Sequence, residues 1–212
     1  MAKQTPKLAS KQPQPLQSLA GKMPFILTIT GILGLISAFI ISVDKIKLLE
    51  NPKFLPNCDL NPIISCGSVM SSKQGAAFGF PNPFIGLAAF AVLITIGAGL
   101  WAGARYKKWF WLGLNAGALL GVAFVHWLFF ESVYRIQALC PYCMVVWVCT
   151  ITTFWYVTQY NLQTKALVIP TKVGPRITSF LQKHHLDILI VWLLVIAGLI
   201  LKHFWYYYGK NL

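Results

Sequence analysis

Five stretches of about 20 mostly apolar residues, each long enough to cross the hydrocarbon core of a bilayer, constrain this chain more than any other feature. They run over 24–43, 84–104, 109–130, 139–157 and 186–206. They predict an all-α, polytopic membrane protein, because a helix satisfies its own backbone polar groups in lipid. Composition agrees: 57% of the residues are hydrophobic and 11% charged, where a soluble domain carries roughly a quarter charged residues. Pro24 and Pro83 stand at or just before span starts, where a missing N–H costs little. The lead over 1–23 is rich in Lys, Gln and Pro and is expected to be disordered. No small-residue cleavage site follows the first run, so it reads as a retained span rather than a signal peptide.

The net charge of +13 does not gather into a stripe that would fit nucleic acid. The cations lie between the apolar runs, as in a chain oriented by its basic loops. With the N-terminus in the cytoplasm, eleven face inward (Lys3, Lys7, Lys11, Lys22, Arg105, Lys107, Lys108, Lys165, Lys172, Arg176, Lys183) and seven outward. The seven are Lys45, Lys47, Lys53, Lys73, Arg135, Lys202 and Lys210, and Asp44, Glu50, Asp59 and Glu131 share their side. The expected topology is N-in and C-out. The long loop over 44–82 and the start of the fourth span then face the same outer compartment, where disulfides persist.

That placement matters because four of the five cysteines form two pairs at this side. Cys140-Pro141-Tyr142-Cys143 opens the fourth span. A thiol at a helix start is favoured as thiolate by the helix dipole, and Cys143 lies one turn deeper on nearly the same face. The alternatives are a structural disulfide or half a zinc site; no His stands at suitable spacing, and no metal is expected. Cys58 and Cys66 lie in the outer loop, among Pro56, Pro62 and Gly67. Alone they would read as a staple of that loop. Beside a second pair on the same side, an exposed disulfide also fits a shuttle that passes electrons inward by thiol exchange. Cys149, inside the fourth span, reads as packing. Arg135 is the nearest candidate cation for a Cys140 thiolate, although orientation of the helix end explains it too. Asn115 and His126 in the third span read either as pocket residues or as helix–helix hydrogen bonds. Aromatics at the span ends, such as Trp101, Trp109 and Trp205, fit an interface belt.

The order of the pairs and the residues between them resemble the vitamin K epoxide reductase family. The matching stretches are Cys58-Asp59, Ser65-Cys66-Gly67-Ser68-Val69-Met70-Ser71-Ser72, Phe78-Gly79, Asn82-Pro83-Phe84-Ile85-Gly86 and Cys140-Pro141-Tyr142-Cys143. The bacterial quinone reductases of the other disulfide-forming superfamily place the Cys-X-X-Cys pair before the separated pair. The resemblance implies a four-helix bundle around a quinone pocket over 24–158, with the shuttle cysteines in the loop 44–82. A basic cytoplasmic loop (159–185) and a fifth transmembrane helix with a short outer tail (186–212) would follow. Cys140 and Cys143 would be the active pair, with Cys143 beside the quinone. Cys66 would exchange with Cys140, and Cys58 with a partner protein. Asn82 matches a residue that hydrogen-bonds a quinone carbonyl, though Asn before Pro also reads as a helix N-cap; Phe84 and Trp147 would flank the ring. Trp147 stands where vertebrate members carry Tyr.

The implied activity is a membrane thiol:quinone oxidoreductase that supports disulfide formation. A ubiquinone or a menaquinone of the vitamin K type would be the acceptor. The fifth span resembles the linker helix of bacterial members, whose thioredoxin-like domain is expected here as a separate partner in the outer compartment. The inner membrane of a prokaryotic cell, with the cysteines facing the periplasm, is the expected location. Vitamin K quinone or epoxide reduction proper is one alternative. A non-enzymatic membrane protein with structural loop disulfides is the other.

Overall fold

The computed structural model describes residues 16–167 and 174–208. Expectations about 1–15, Lys172, Lys210 and the outer tail beyond 208 lie outside the described residues. Among these residues five helices are long and apolar enough to cross a membrane: α1 (Leu16–Glu50), α3 (Pro83–Trp101), α4 (Lys108–Phe130), α5 (Pro141–Gln163) and α7 (His185–Tyr208). Two short helices, α2 (Cys66–Ser71) and α6 (Gly174–Lys183), complete the set. A 3-10 turn covers Lys73–Ala76, and a π-helical turn continues α4 over Glu131–Ile136. The chain is an all-α, multi-pass membrane protein.

The ends of the elements differ from the sequence reading. Helix α1 starts eight residues before Pro24, so 16–23, expected in a disordered lead, are helical. Leu19 and Met23 bury their side chains in the core there, and Pro24 costs that helix one backbone hydrogen bond. At its other end α1 runs to Glu50, well into what read as the outer loop. The segment 159–185 is not a plain loop either. It completes α5 and then forms α6, in which Leu181 packs on the core while Ile177 and Phe180 stay exposed.

Helix α1 is the centre of the bundle. It packs along α3 on one side and α5 on the other, and α5 in turn packs against α4. Helices α3 and α4, the two ends of this arc, have no comparable packing against each other. The α1–α3 seam is built on glycine. A Cβ on Gly34 would lie 2.3 Å from the Phe90 ring, one on Gly97 2.3 Å from Thr28 Oγ1, and one on Gly86 3.1 Å from Ala38 Cβ. Lipid gives helices no hydrophobic reason to associate, so close backbone approach and dispersion must hold them.

Polar side chains add cross-links inside the spans. Thr153 donates to Thr30 at 2.9 Å between α5 and α1, and Thr158 donates to Asn115 Oδ1 at 2.8 Å between α5 and α4. The Trp192 indole donates to His126 Nε2 at 3.0 Å, tying α7 to α4, and His126 Nδ1 donates to the Val122 carbonyl at 2.8 Å. Asn115 and His126 therefore serve as helix–helix links, and neither lines the large cavity described next. Cys149 is a free thiol buried in the apolar core beside Trp111 and Ile151.

Candidate active site

Short-range turns and one backbone bridge bring the two cysteine pairs together. The Asn61 side chain accepts from the N–H groups of Ile63 and Ile64 at 3.0 and 2.8 Å, closing a tight turn after Cys58. Ser65 then caps α2, its hydroxyl accepting from Ser68 N–H at 3.1 Å. Asp59 Oδ1 accepts a second N–H of that helix, from Gly67, at 2.9 Å. Cys58 and Cys66 are joined as a disulfide with Cα atoms 5.7 Å apart. Ile64 and Leu139 form a parallel bridge in which Leu139 N–H donates to Ile63 (2.6 Å) and Ser65 N–H donates to Leu139 (3.0 Å). The bridge lies two residues before Cys66 and one before Cys140. Cys58, Cys66, Cys140, Ile41 and Met70 consequently share one buried cluster, with Cys143 packed against it. Cys66 and Cys140 are both 0% exposed.

The segment that aims Cys140 is held from the rear. Gln137 adopts a left-handed conformation (φ 58°) and ends the π-helical turn, and Ser132 Oγ donates to the Ala138 carbonyl. Glu131 is buried; it pairs with Arg135 at 3.2 Å and accepts from Gln74 Nε2 at 3.0 Å, which ties the loop to this turn. Arg135 is thus engaged by Glu131 and is not among the groups that act on Cys140, which leaves its other reading, orientation of the helix end.

Donors of α5 itself take that role. Cys140 is the N-cap of α5, with Pro141 at the first helical position, and its Sγ accepts from Cys143 N–H at 3.4 Å. Both thiols of this pair are free. The Cys143 thiol, donating to Cys140, holds the Cys140 thiol below the ordinary cysteine value. The N–H groups of Cys143 and Tyr142 act in the same direction, while burial and the Asp59 carboxylate oppose it. Cys140 is therefore the better nucleophile and the better leaving group of the pair.

Cys143 faces a cavity of about 980 Å³ enclosed by α1, α3, α4 and α5 and roofed by the loop around 69–82. Its walls are apolar, among them Phe84, Leu93, Leu114, Val146 and Trp147. Trp147 is buried with its ring edge against Phe129, at 5.6 Å between centroids, and Phe84 is partly exposed at the mouth. Polar groups gather at the cysteine end: Lys45, Ser72, Gln74, Asn82 and Ser132.

Asn82 does not cap α3. Its backbone is already helical (φ −53°, ψ −33°), so its side chain turns to the loop instead. There Oδ1 accepts from Ala77 N–H at 2.9 Å and Nδ2 donates to the Gln74 carbonyl at 2.6 Å. One N–H of that amide is left over for a ligand.

Several of these residues were not singled out in the sequence. Lys45 was read only as an orienting charge, yet its ammonium donates to the Met70 carbonyl at 2.7 Å while lining the cavity. Glu131 and Gln74 carry no local signal, and Asp59 stands in the sequence only as the second residue of a family-matching stretch. Donor atoms of Cys58, Asp59 and Cys66 lie within 4.8 Å of one another. With the two sulfurs bonded to each other, this is a disulfide with a carboxylate beside it rather than a ligand set.

The family model described as the vitamin K epoxide reductase family matches residues 25–158, which spans α1 to α5 and every residue of the site. No curated protein matches the chain.

Proposed function

This chain belongs to the vitamin K epoxide reductase family, and from that premise we propose that it is a thiol:quinone oxidoreductase working through two cysteine pairs in series. Membership makes it a membrane redox enzyme; the electron route, the acceptor and the partner are our reading. The observation that carries it is the burial of Cys66 and Cys140 in one cluster, both fully out of water, with Cys143 on the wall of an apolar cavity.

A thioredoxin-like dithiol in the outer compartment reduces Cys58–Cys66 and leaves as a disulfide. The Cys66 thiolate then attacks Cys140 in an oxidised Cys140–Cys143 pair, and Cys143 leaves with the electron pair of the broken S–S bond. Cys58 resolves the Cys66–Cys140 link, which restores the loop disulfide and frees the Cys140 thiolate. The inner dithiol passes two electrons and two protons to a ubiquinone or menaquinone in the cavity, giving quinol and a new Cys140–Cys143 disulfide. Asn82 offers its spare N–H to a ring carbonyl, and Phe84 and Trp147 hold the ring. The bias of basic residues supports an N-in topology, with both pairs outside the cytoplasm of a prokaryotic cell.

The test is quinone reduction by detergent-purified protein with dithiothreitol as donor, wild type beside Cys143→Ala. Turnover in wild type that vanishes in the variant is the expected result. In Cys143→Ala the Cys140 thiolate can attack Cys66 of the loop disulfide and expel Cys58, and a Cys66–Cys140 linked species should accumulate, because without Cys143 the inner pair cannot close and its electrons have no way on to the quinone. Turnover that survives the substitution would refute the route.

A further inference from the structure

The series of exchanges sets a problem in proton transfer. Each thiol that becomes a nucleophile must lose a proton, yet Cys66 and Cys140 have no contact with water, and Cys58 is only 7% exposed. One carboxylate reaches this enclosure. The half-buried Asp59 follows Cys58 in the chain, and its oxygen lies with both loop sulfurs in a cluster no wider than 4.8 Å. It is held there from two sides: Oδ1 accepts from Gly67 N–H at 2.9 Å, and Oδ2 fills the space over Gly67, where a Cβ would lie 2.5 Å away. Its charge also acts on the Cys140 thiol.

Resting on the thiol relay proposed above, we infer that Asp59 is the proton acceptor of the loop pair. It takes the proton of Cys66, and then of Cys58, and releases each through its exposed side to outer water. In the first step the Cys66 S–H bond breaks and the proton moves to an Asp59 oxygen. The thiolate so formed bonds to Cys140 Sγ, and the Cys140–Cys143 bond breaks with its electron pair on Cys143. After Asp59 has lost that proton, it takes the one from Cys58, whose thiolate attacks Cys66 and expels Cys140 as thiolate. Two protons leave to outer water and two electrons move inward as the Cys140 and Cys143 thiolates; quinol formation then takes up two protons from water, so the sequence balances with water as its only further reagent.

The other charged or titratable groups around Asp59 do not compete for this work. From the start of α5, the Cys140 and Cys143 thiols hydrogen-bond each other, and Tyr142 stands between them in sequence. From α1, Lys45 is bonded to the Met70 carbonyl, and Lys47 lies over the Phe54 ring. From the π-helical turn, Arg135 and Glu131 pair with each other.

The experiment uses the full-length protein in detergent, with dithiothreitol as donor and a soluble quinone as acceptor. The readout is the ratio of Asp59→Asn to wild-type turnover across pH, so that ionisation of the donor cancels. Asparagine keeps the acceptor for Gly67 N–H and changes only the ability to take a proton. We expect a loss of roughly 100-fold near pH 7, the scale of general base catalysis. The ratio should climb toward one as pH rises above the ordinary thiol value of ~8.5, where hydroxide increasingly takes the proton in place of Asp59. In Asp59→Ala, added formate should restore turnover near pH 7, which keeps the test open if the asparagine variant folds poorly. A ratio that is flat with pH, whether near one or uniformly low, overturns the inference, as does an absence of rescue. Turnover that survives Cys66→Ser overturns the relay and the proton route together, whereas turnover that needs Cys66 but gives a flat ratio overturns only the proton route.

Discussion

The glycine seam between α1 and α3 gives a prediction whose sign comes from the structure alone. Gly97→Ala adds a methyl that would lie 2.3 Å from Thr28 Oγ1, 3.1 Å from the Pro24 carbonyl oxygen and 3.2 Å from Thr28 N. Threonine is stiff at its first side-chain torsion in a helix, and the other two atoms are backbone, so the helices themselves must separate. Overpacking of this kind costs about 1–3 kcal/mol, against a gain of about 1 kcal/mol when alanine replaces glycine in a helix. The net expectation is a loss of about 1 kcal/mol. Gly113 in α4 supplies the control, since a Cβ there meets nothing within 4 Å. Gly113→Ala should be neutral or stabilise by up to about 1 kcal/mol. The two variants should differ by ~2 kcal/mol, or about 4–8 °C in apparent melting midpoint for a chain of this size. Tryptophan fluorescence melts in one detergent provide the assay. Adding Thr28→Ala to Gly97→Ala should recover part of the loss, because Thr28 Oγ1 has no hydrogen-bond partner among the described residues and its removal breaks no bond. Equal midpoints for Gly97→Ala and Gly113→Ala would refute the claim that backbone contact holds this seam.

Three further outcomes are expected. Trp192→Phe removes the donor to His126 and should lower stability by about 0.5–1 kcal/mol while quinone turnover stays near wild type; a large loss of turnover at unchanged stability would return His126 to the reaction site. Glu131→Ala strips Gln74 of its acceptor and Arg135 of its partner, and should cost about 1–3 kcal/mol, seen as faster proteolysis within 51–82; an unchanged cleavage rate would mean that Glu131 does not anchor the loop. Because the folded Cys140 thiol sits below its ordinary value, its thiolate contributes stability that is complete above about 8.5 and is lost as pH falls through the lowered value. Ultraviolet thiolate absorbance, wild type minus Cys140→Ser in reduced protein, should show that transition below the ordinary value, and one at or above it would contradict the N-cap account.

The spans were legible because a run of apolar residues reports its own burial in lipid. Their ends were not. Nothing local distinguishes a helix that stops at Val43 from one that continues past Lys45 until tertiary contacts, such as the Lys45–Met70 bond, are known. The cysteine order and the family stretches pointed to the site itself. What the sequence concealed was the means of assembly, the bridge between Ile64 and Leu139, since two short irregular segments far apart in the chain carry no periodic signal. One alternative for Arg135 and one for Asn82 fail for a shared reason: the Cys140 partner and the N-cap each match the residue to the helix end nearest in sequence, while Glu131 one turn away, and the loop folding back over α3, offer better partners.

The unpacked side of the arc, between α3 and α4, bears on how the proposed quinone acceptor would reach the cavity. With the cavity's polar end roofed by the loop and no tight α3–α4 seam along its flank, a quinone held as proposed would have a lateral way in between two membrane-crossing helices. A long-tailed molecule can slide its ring inward while its tail stays among the acyl chains, with no step into solvent. The concentration that governs its capture is then a mole fraction in the membrane. The apparent KM for such an acceptor should scale with the amount of lipid or detergent in the assay, and rates quoted per litre of buffer would describe the micelles as much as the protein.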